Sequence, residues 1–163
     1  MATNRARRIL GIDPGTAILG FGVIDIDEKR KISMIEAGVI RTPAKQADSD
    51  RLLTIHDDLK AIILETKPDI MVVEKLFFVQ NITNGISVAQ ARGVVLLLGK
   101  QSNLELFEYT PLEIKQALTG YGHAPKKQIQ EMVKTILGLK QIPQPDDCAD
   151  ALATAICHSM IMR

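Results

Sequence analysis

Two hydrophobic rhythms divide the chain. Up to Ile40, apolar residues come in short runs or alternate with polar ones, which is the rhythm of strands. Arg8 to Asp13 carries the run Ile-Leu-Gly-Ile stopped by Asp-Pro-Gly, a buried strand ended by a turn. Leu19 to Ile26 predicts a second strand, in which Gly20 and Gly22 let another backbone come close. Ile32 to Ile40 alternates loosely as a third, beyond a charged turn at Asp27 to Arg30. Both connections are short, so the three strands should form an antiparallel meander.

From there apolar positions recur every three or four residues. Asp48, Ser49 or Asp50 can cap a helix in which Leu52, Leu53, Ile55, Leu59, Ile62 and Ile63 recur at helical spacing, and Pro68 ends it. Ile70 to Val73 is a compact fourth strand with Glu74 at its C-terminal end. A helix starts in the polar stretch Asn81 to Asn84 and runs to about Lys100; Leu104 to Tyr109 is the fifth strand. Thr110 caps a helix with Pro111 in its first turn, Gly120-Tyr121-Gly122 breaks it, and Pro125 opens another to about Leu137. Pro143 and Pro145 precede a last helix from Asp146 to about Ile161. Strands four and five follow helical crossovers, which implies parallel pairing with right-handed connections. The expected fold is α/β: a five-stranded mixed sheet with helices on both faces, as a single domain over residues 1–163.

Composition narrows the functional classes. The 163 residues carry 20 Lys+Arg against 19 Asp+Glu, so nucleic-acid binding must come from where the charges sit. No apolar run approaches the ~18 residues of a membrane span. The N-terminal stretch lacks the apolar segment of a signal peptide. Cys148 and Cys157 have no second pair, so they read as small buried hydrophobes of a cytoplasmic protein rather than zinc ligands or a disulfide.

The candidate chemistry lies in acids placed beside apolar residues. Asp13 ends the first strand and Glu74 the fourth; Asp147 and Asp150 are three apart, on one face of the last helix. If strands one and four are neighbours, all four carboxylates can meet. Like charges at contact raise one another's pKa, and hard divalent cations such as Mg²⁺ relieve that repulsion. Two ions ~4 Å apart would activate a water and stabilise the leaving oxygen of a phosphodiester. Taken singly, each acid has a plainer explanation. Asp13 fits a turn, Asp146 or Asp147 a helix cap, and Asp150 a first-turn acid. Glu74 has the weakest such account.

Gly11-Ile12-Asp13-Pro14-Gly15-Thr16 with Gly20-Phe21-Gly22-Val23-Ile24, then Val73-Glu74-Lys75-Leu76-Phe77-Phe78, Gln90-Ala91-Arg92-Gly93-Val94 and Asp147-Cys148-Ala149-Asp150-Ala151-Leu152-Ala153 resemble, in order, the blocks of the RuvC Holliday-junction resolvases, from about Ile9 to His158. The resemblance implies a ribonuclease H-like fold and a homodimer that resolves four-way DNA junctions by paired nicks, with Mg²⁺ (two ions, Mn²⁺ able to substitute) at Asp13, Glu74, Asp147 and Asp150. Some relatives carry His where this chain has Asp147. It also implies the RuvA–RuvB branch-migration complex as a partner and DNA contacts at Phe77, Arg92, Lys115 and Lys126, with Lys127 a neighbour.

Residues 70–163 carry nine basic and eight acidic side chains; with Glu74, Asp147 and Asp150 neutralised by metal, the balance is nine against five. Phosphate contacts by such lysines are largely sequence-blind. Phe77 follows Glu74 by three residues and is suited to stacking on an unpaired base, whereas Phe78 reads as core. Tyr121, between two glycines, is a second stacking candidate. Asn84 to Lys100 is apolar nearly all round, so it is either central to the core or shared with a second subunit. The competing readings are a ribonuclease H-like nuclease for another nucleic acid, a junction-binding protein with a dead site, and an actin-like or sugar-kinase phosphate-binding domain. The last shares the Asp-x-Gly-Thr turn but needs a second such loop.

Overall fold

The computed structural model describes residues 6–75 and 82–162. Its elements follow the expected order: β1 (Arg7–Asp13), β2 (Ile18–Ile26), β3 (Ile32–Arg41), α1 (Asp48–Thr66), β4 (Ile70–Glu74), α2 (Ile82–Gln101), β5 (Glu105–Tyr109), α3 (Pro111–Thr119), α4 (Lys126–Ile136) and α5 (Asp146–Ile161). The five strands lie in the order β3-β2-β1-β4-β5. β1–β2 and β2–β3 pair antiparallel, while β1–β4 and β4–β5 pair parallel. This is the five-stranded mixed sheet that the residue pattern predicts, with the topology expected of the ribonuclease H-like fold that the resemblance implies.

Strand parity divides the buried apolar residues of the sheet between two cores. Ile9, Ile24, Ile26, Ile70 and Val72 face the layer made by α3, α4 and α5, where they meet Ile114, Leu118, Ile129, Val133, Leu152 and Ile156. Leu10, Ile12, Leu19, Phe21, Val23, Met71 and Val73 face the opposite layer, α1 and α2, with Ile55, Leu59, Ile63, Ala91, Val95 and Leu98. Each fully buried side chain of this size stabilises the fold by ~1.5–3 kcal/mol through water release.

Glycines on the first face bring α5 against the sheet. Gly11 and Gly22 are cross-strand partners in the β1–β2 ladder, and Gly20 pairs with Asp13. A methyl group on Gly11 would fall 2.1 Å from the carbonyl oxygen of Ala151, and one on Gly20 would fall 2.1 Å from that of Asp147. The close approach expected of Gly20 is therefore made by the main chain of α5 at Asp147, whereas at Gly22 it is made first by the Leu152 side chain at 2.7 Å and then by the Leu152 amide at 3.0 Å.

The opposite end of the sheet is tied by Arg8. Its guanidinium grips both oxygens of Asp25 at 2.7 and 2.8 Å and donates to the carbonyl of Thr66, while its amide donates to Asp69. The helix starts differ in part from expectation. α3 has the full capping box, Thr110 Oγ1 accepting from the Glu113 amide and Glu113 returning a bond to the Thr110 amide. For α1 the cap position is Ala47, with Asp48 already in the first turn. For α5 it is Pro145, so neither Asp146 nor Asp147 caps that helix and both sit in its first turn. There the acids gain from the helix dipole rather than from a capping bond. Cys148 and Cys157 are buried free thiols, as expected. Among the described residues, no helix is long and apolar enough to cross a membrane.

Candidate active site at the carboxyl edge of the sheet

Parity also aims the acids. Ile9 and Gly11 face α5, so Asp13, two residues on, faces it as well; Ile70 and Val72 do the same for Glu74. β1 and β4 pair in parallel through Ile12↔Val73, which sets Asp13 and Glu74 side by side at the ends of two central strands. α5 crosses above them with Asp147 and Asp150 one turn apart. The resulting cleft, of about 270 Å³, is lined by Asp13, Glu74 and Asp150 and walled by Ile114, Ile129 and Ala153, with Lys115 and Lys126 at its side.

The electrostatics show that the acids share one space. Burial, then the charges of Glu74, Asp150 and Asp147, pushes the Asp13 carboxyl up to about 8. Burial and then Asp150 push Glu74 up to about 7, against the opposing pull of Lys115 and Lys126. Asp150 is likewise raised, by burial first, although Lys126 pulls it down. The Lys126 ammonium bridges Asp150 at 3.1 Å and Asp146 at 3.3 Å. Burial opposes its charge, but the bonds to the two carboxylates hold its pKa above the ordinary value.

The site therefore gathers more acidic groups than Lys115 and Lys126 can offset, and every candidate ligand atom is a carboxylate oxygen. That set suits a hard divalent cation. Among the described residues, no three His, Cys, Asp or Glu side chains converge tightly enough to ligate one ion in this conformation, in which Lys126 draws on Asp146 and Asp150.

The remaining candidates divide. Lys115 projects from α3, which the capping box fixes at its start, and lines the cleft beside Lys126. Lys127 is exposed on the next position of α4. Tyr121 is 57% exposed, and its ring stands edge-on to His123 at 5.7 Å. Arg92 lies on α2, outside the cleft lining, with its guanidinium bound to Glu108 of β5. Phe77 and Phe78 lie outside the described residues. Sequence reasoning placed Asp146 in the acidic cluster, left open whether it does more than cap the helix, and missed its hold on Lys126. It also missed Arg51, which lies on the other side of the Asp13 turn.

Comparison with known proteins gives a consistent result. The family model described as crossover junction endodeoxyribonuclease RuvC matches residues 9–158. The protein of that name from Halothermothrix orenii is 53% identical over 150 residues, covering 92% of this chain and 90% of the relative. The one from Fusobacterium nucleatum is 52% identical over 151 residues, covering 93% and 79%. Among solved structures, Thermus thermophilus RuvC in complex with Holliday junction substrate superposes with a TM-score of 0.89 at 34% identity, covering 94% of this chain and 93% of the other.

Proposed function

This chain belongs to the crossover junction endodeoxyribonuclease RuvC family, and we propose that its carboxylate cleft is where the DNA strand is cut. The protein is a nuclease that resolves Holliday junctions, in recombination and repair. The observation that carries the site assignment is the convergence of Asp13 and Glu74, from adjacent parallel strand ends, under the α5 turn bearing Asp147 and Asp150.

Asp13, Glu74, Asp147 and Asp150 would hold Mg²⁺, two ions per site with Mn²⁺ able to replace them. When bound, the metal activates a water and stabilises the leaving oxygen. The protein's part is positional. Asp13 and Glu74 sit on strand ends locked into the sheet, and α5 is seated on glycines, so the acids have little freedom to drift. Apolar walls at Ile114, Ile129 and Ala153 limit solvent on one side. Lys115 and Lys126 supply positive charge for the phosphate, Lys126 from a position where it bridges Asp146 and Asp150. Lys127 and Tyr121 extend that contact along the same loop and helix, and Phe77 stacks on a base near the junction centre.

The chain works as a single domain in a homodimer. α2 buries Ala91, Val95 and Leu98 but leaves Ile86 57% and Leu97 59% exposed, and Leu53 and Leu64 of the adjacent α1 are exposed too. A second copy seated on that face would bury an apolar surface and present two identical sites for two symmetric cuts. By kinship the protein acts with the RuvA–RuvB complex in the cytoplasm. Synthetic four-way junction, linear duplex and RNA–DNA hybrid, each incubated with and without Mg²⁺, test the reading. Paired nicks confined to the junction and dependent on metal are expected. Preferential cutting of the hybrid would reassign the substrate.

A further inference from the structure

The second groove of interest lies across the Asp13 turn. Its volume is about 440 Å³, and it is lined by Gly15, Thr16, Arg51, Asn84 and Ser87 together with Ala17 and Ile18. No carboxylate lines it, and Thr16, Arg51, Asn84 and Ser87 can all donate hydrogen bonds. Arg51 is oriented by a relay. Its Nε donates to Thr42 Oγ1 at 2.8 Å, and that hydroxyl, on a buried residue, donates to the carbonyl of Thr16 at 2.6 Å. A guanidinium has five N–H donors. Among the described residues Arg51 uses one, so a fork of donors remains for an anionic oxygen.

We propose that this groove is a second anchoring site for the cut strand, in which Arg51 binds a backbone phosphodiester next to the one being hydrolysed. The inference rests on the nuclease reading above and names a contact which that reading leaves out. Position supports it as well as chemistry. The turn that places Asp13 in the cleft places Gly15 and Thr16 on the groove, so the two share a wall. Lys115 and Lys126 approach from the α3 and α4 layer, whereas Arg51, Asn84 and Ser87 come from α1 and α2 on the other face of the sheet. A strand whose phosphate sits at Asp13 and Glu74 must cross the carboxyl edge of the sheet. It leaves one layer's cations and meets the other's.

The test uses full-length protein carrying Asp150→Asn, so that binding is read without cutting. Junction affinity is measured over a range of salt concentrations with Arg51, Arg51→Gln and Arg51→Lys, and the melting temperature of each is recorded. The expected result for Arg51→Gln is a ~tenfold loss of affinity at low salt and a salt slope smaller by ~1, because one phosphate contact is gone. Arg51→Lys should keep the slope and lose less affinity. An unchanged slope in Arg51→Gln at unchanged melting temperature overturns the anchor. So does an equal loss in Arg51→Lys accompanied by lower melting temperatures, which would make Arg51 only a brace for Thr42. If the parent protein does not prefer four-way junction over duplex, it is the nuclease reading that fails.

Discussion

Gly20 and Asp147 occupy each other's space: where any other residue at position 20 would place its Cβ, the backbone of Asp147 already lies, its carbonyl oxygen 2.1 Å away. The two belong to different elements, yet the absence of a side chain on one fixes the height of the other above Asp13, the cross-strand partner of Gly20. Gly20→Ala should therefore lift α5 off the sheet at its acidic end. Overpacking of this kind costs ~1–3 kcal/mol, and here the obstacle is backbone, which has little freedom to give. The expected outcome is a lower melting temperature together with a loss of cutting larger than the remaining folded fraction accounts for. Wild-type cleavage in Gly20→Ala would show that the height of α5 does not set the site.

Asp13→Asn, Glu74→Gln, Asp147→Asn and Asp150→Asn should each abolish cleavage and leave junction binding largely intact if these acids hold metal, as proposed, because carboxylates do not themselves bind phosphate. Near wild-type cutting by any one of them with Mg²⁺ would remove that residue from the site. Gel shift and nicking on the same preparation separate the two readouts.

Stability without metal should fall with rising pH. Asp13 is held at about 8 and Glu74 at about 7, against ordinary values of 3.8 and 4.5. A folded-state pKa raised above the unfolded one favours the protonated form in the fold, so this contribution is present below the unfolded value and lost as pH rises through the folded one. In chelator, the melting temperature of the wild type relative to Asp13→Asn should drop between about pH 5 and pH 8.5; a loss of ~1 kcal/mol corresponds to about 2–4 °C in a domain of this size. Saturating Mg²⁺ should flatten the dependence. A pH-independent difference would mean that Asp13 ionises without penalty.

Charge on the exposed side of α2 should separate the subunits. Leu97→Glu is expected to give a monomer by sedimentation with an unchanged helical spectrum, since Leu97 is 59% exposed in the single chain. Coordinated double cutting should be lost with it. A dimer that survives Leu97→Glu would place the interface elsewhere.

Phe77→Ala should leave the melting temperature within the small range typical of exposed substitutions, ~0.5 kcal/mol or less, while junction cutting falls and Phe77→Tyr or Phe77→Trp retains part of it. A loss of ~3–5 kcal/mol would instead make Phe77 a core residue.

The frame that holds the acids was legible because strand parity is written into the chain. A reader who sees Ile-Leu-Gly-Ile-Asp and Ile-Met-Val-Val-Glu can place both acids at strand ends, and the Gly20 and Gly22 signals told of a close neighbour without saying which one. The Thr110–Glu113 capping box was half legible, since Thr110 and Pro111 already marked the start of the helix. What sequence could not convey was partnership across long separations. Lys126 stood out only through the resemblance, as a DNA contact, and only the packing of α4 against α5 delivers it to Asp146 and Asp150. Arg51 carried no local signal, because its significance comes from Thr42 and Thr16, which reach it through the tertiary fold. The caps at Ala47 and Pro145 went against preference for the same reason: tertiary packing fixed those helix starts without a side-chain bond.

The two cores on either side of the sheet have a consequence for how such a protein can change over generations. The acids are backed by the layer of α3, α4 and α5, while the apolar face proposed to meet a second copy belongs to α1 and α2, and a wall of central strands stands between them. Substitutions that reshape the pairing surface repack against Leu10, Ile12, Met71 and Val73, and those that adjust the cleft repack against Ile9, Ile70 and Val72. On the proposed pairing, a lineage can thus rework its α1 and α2 face while the acidic cleft stays as it was, provided that the glycines beneath α5 remain glycines.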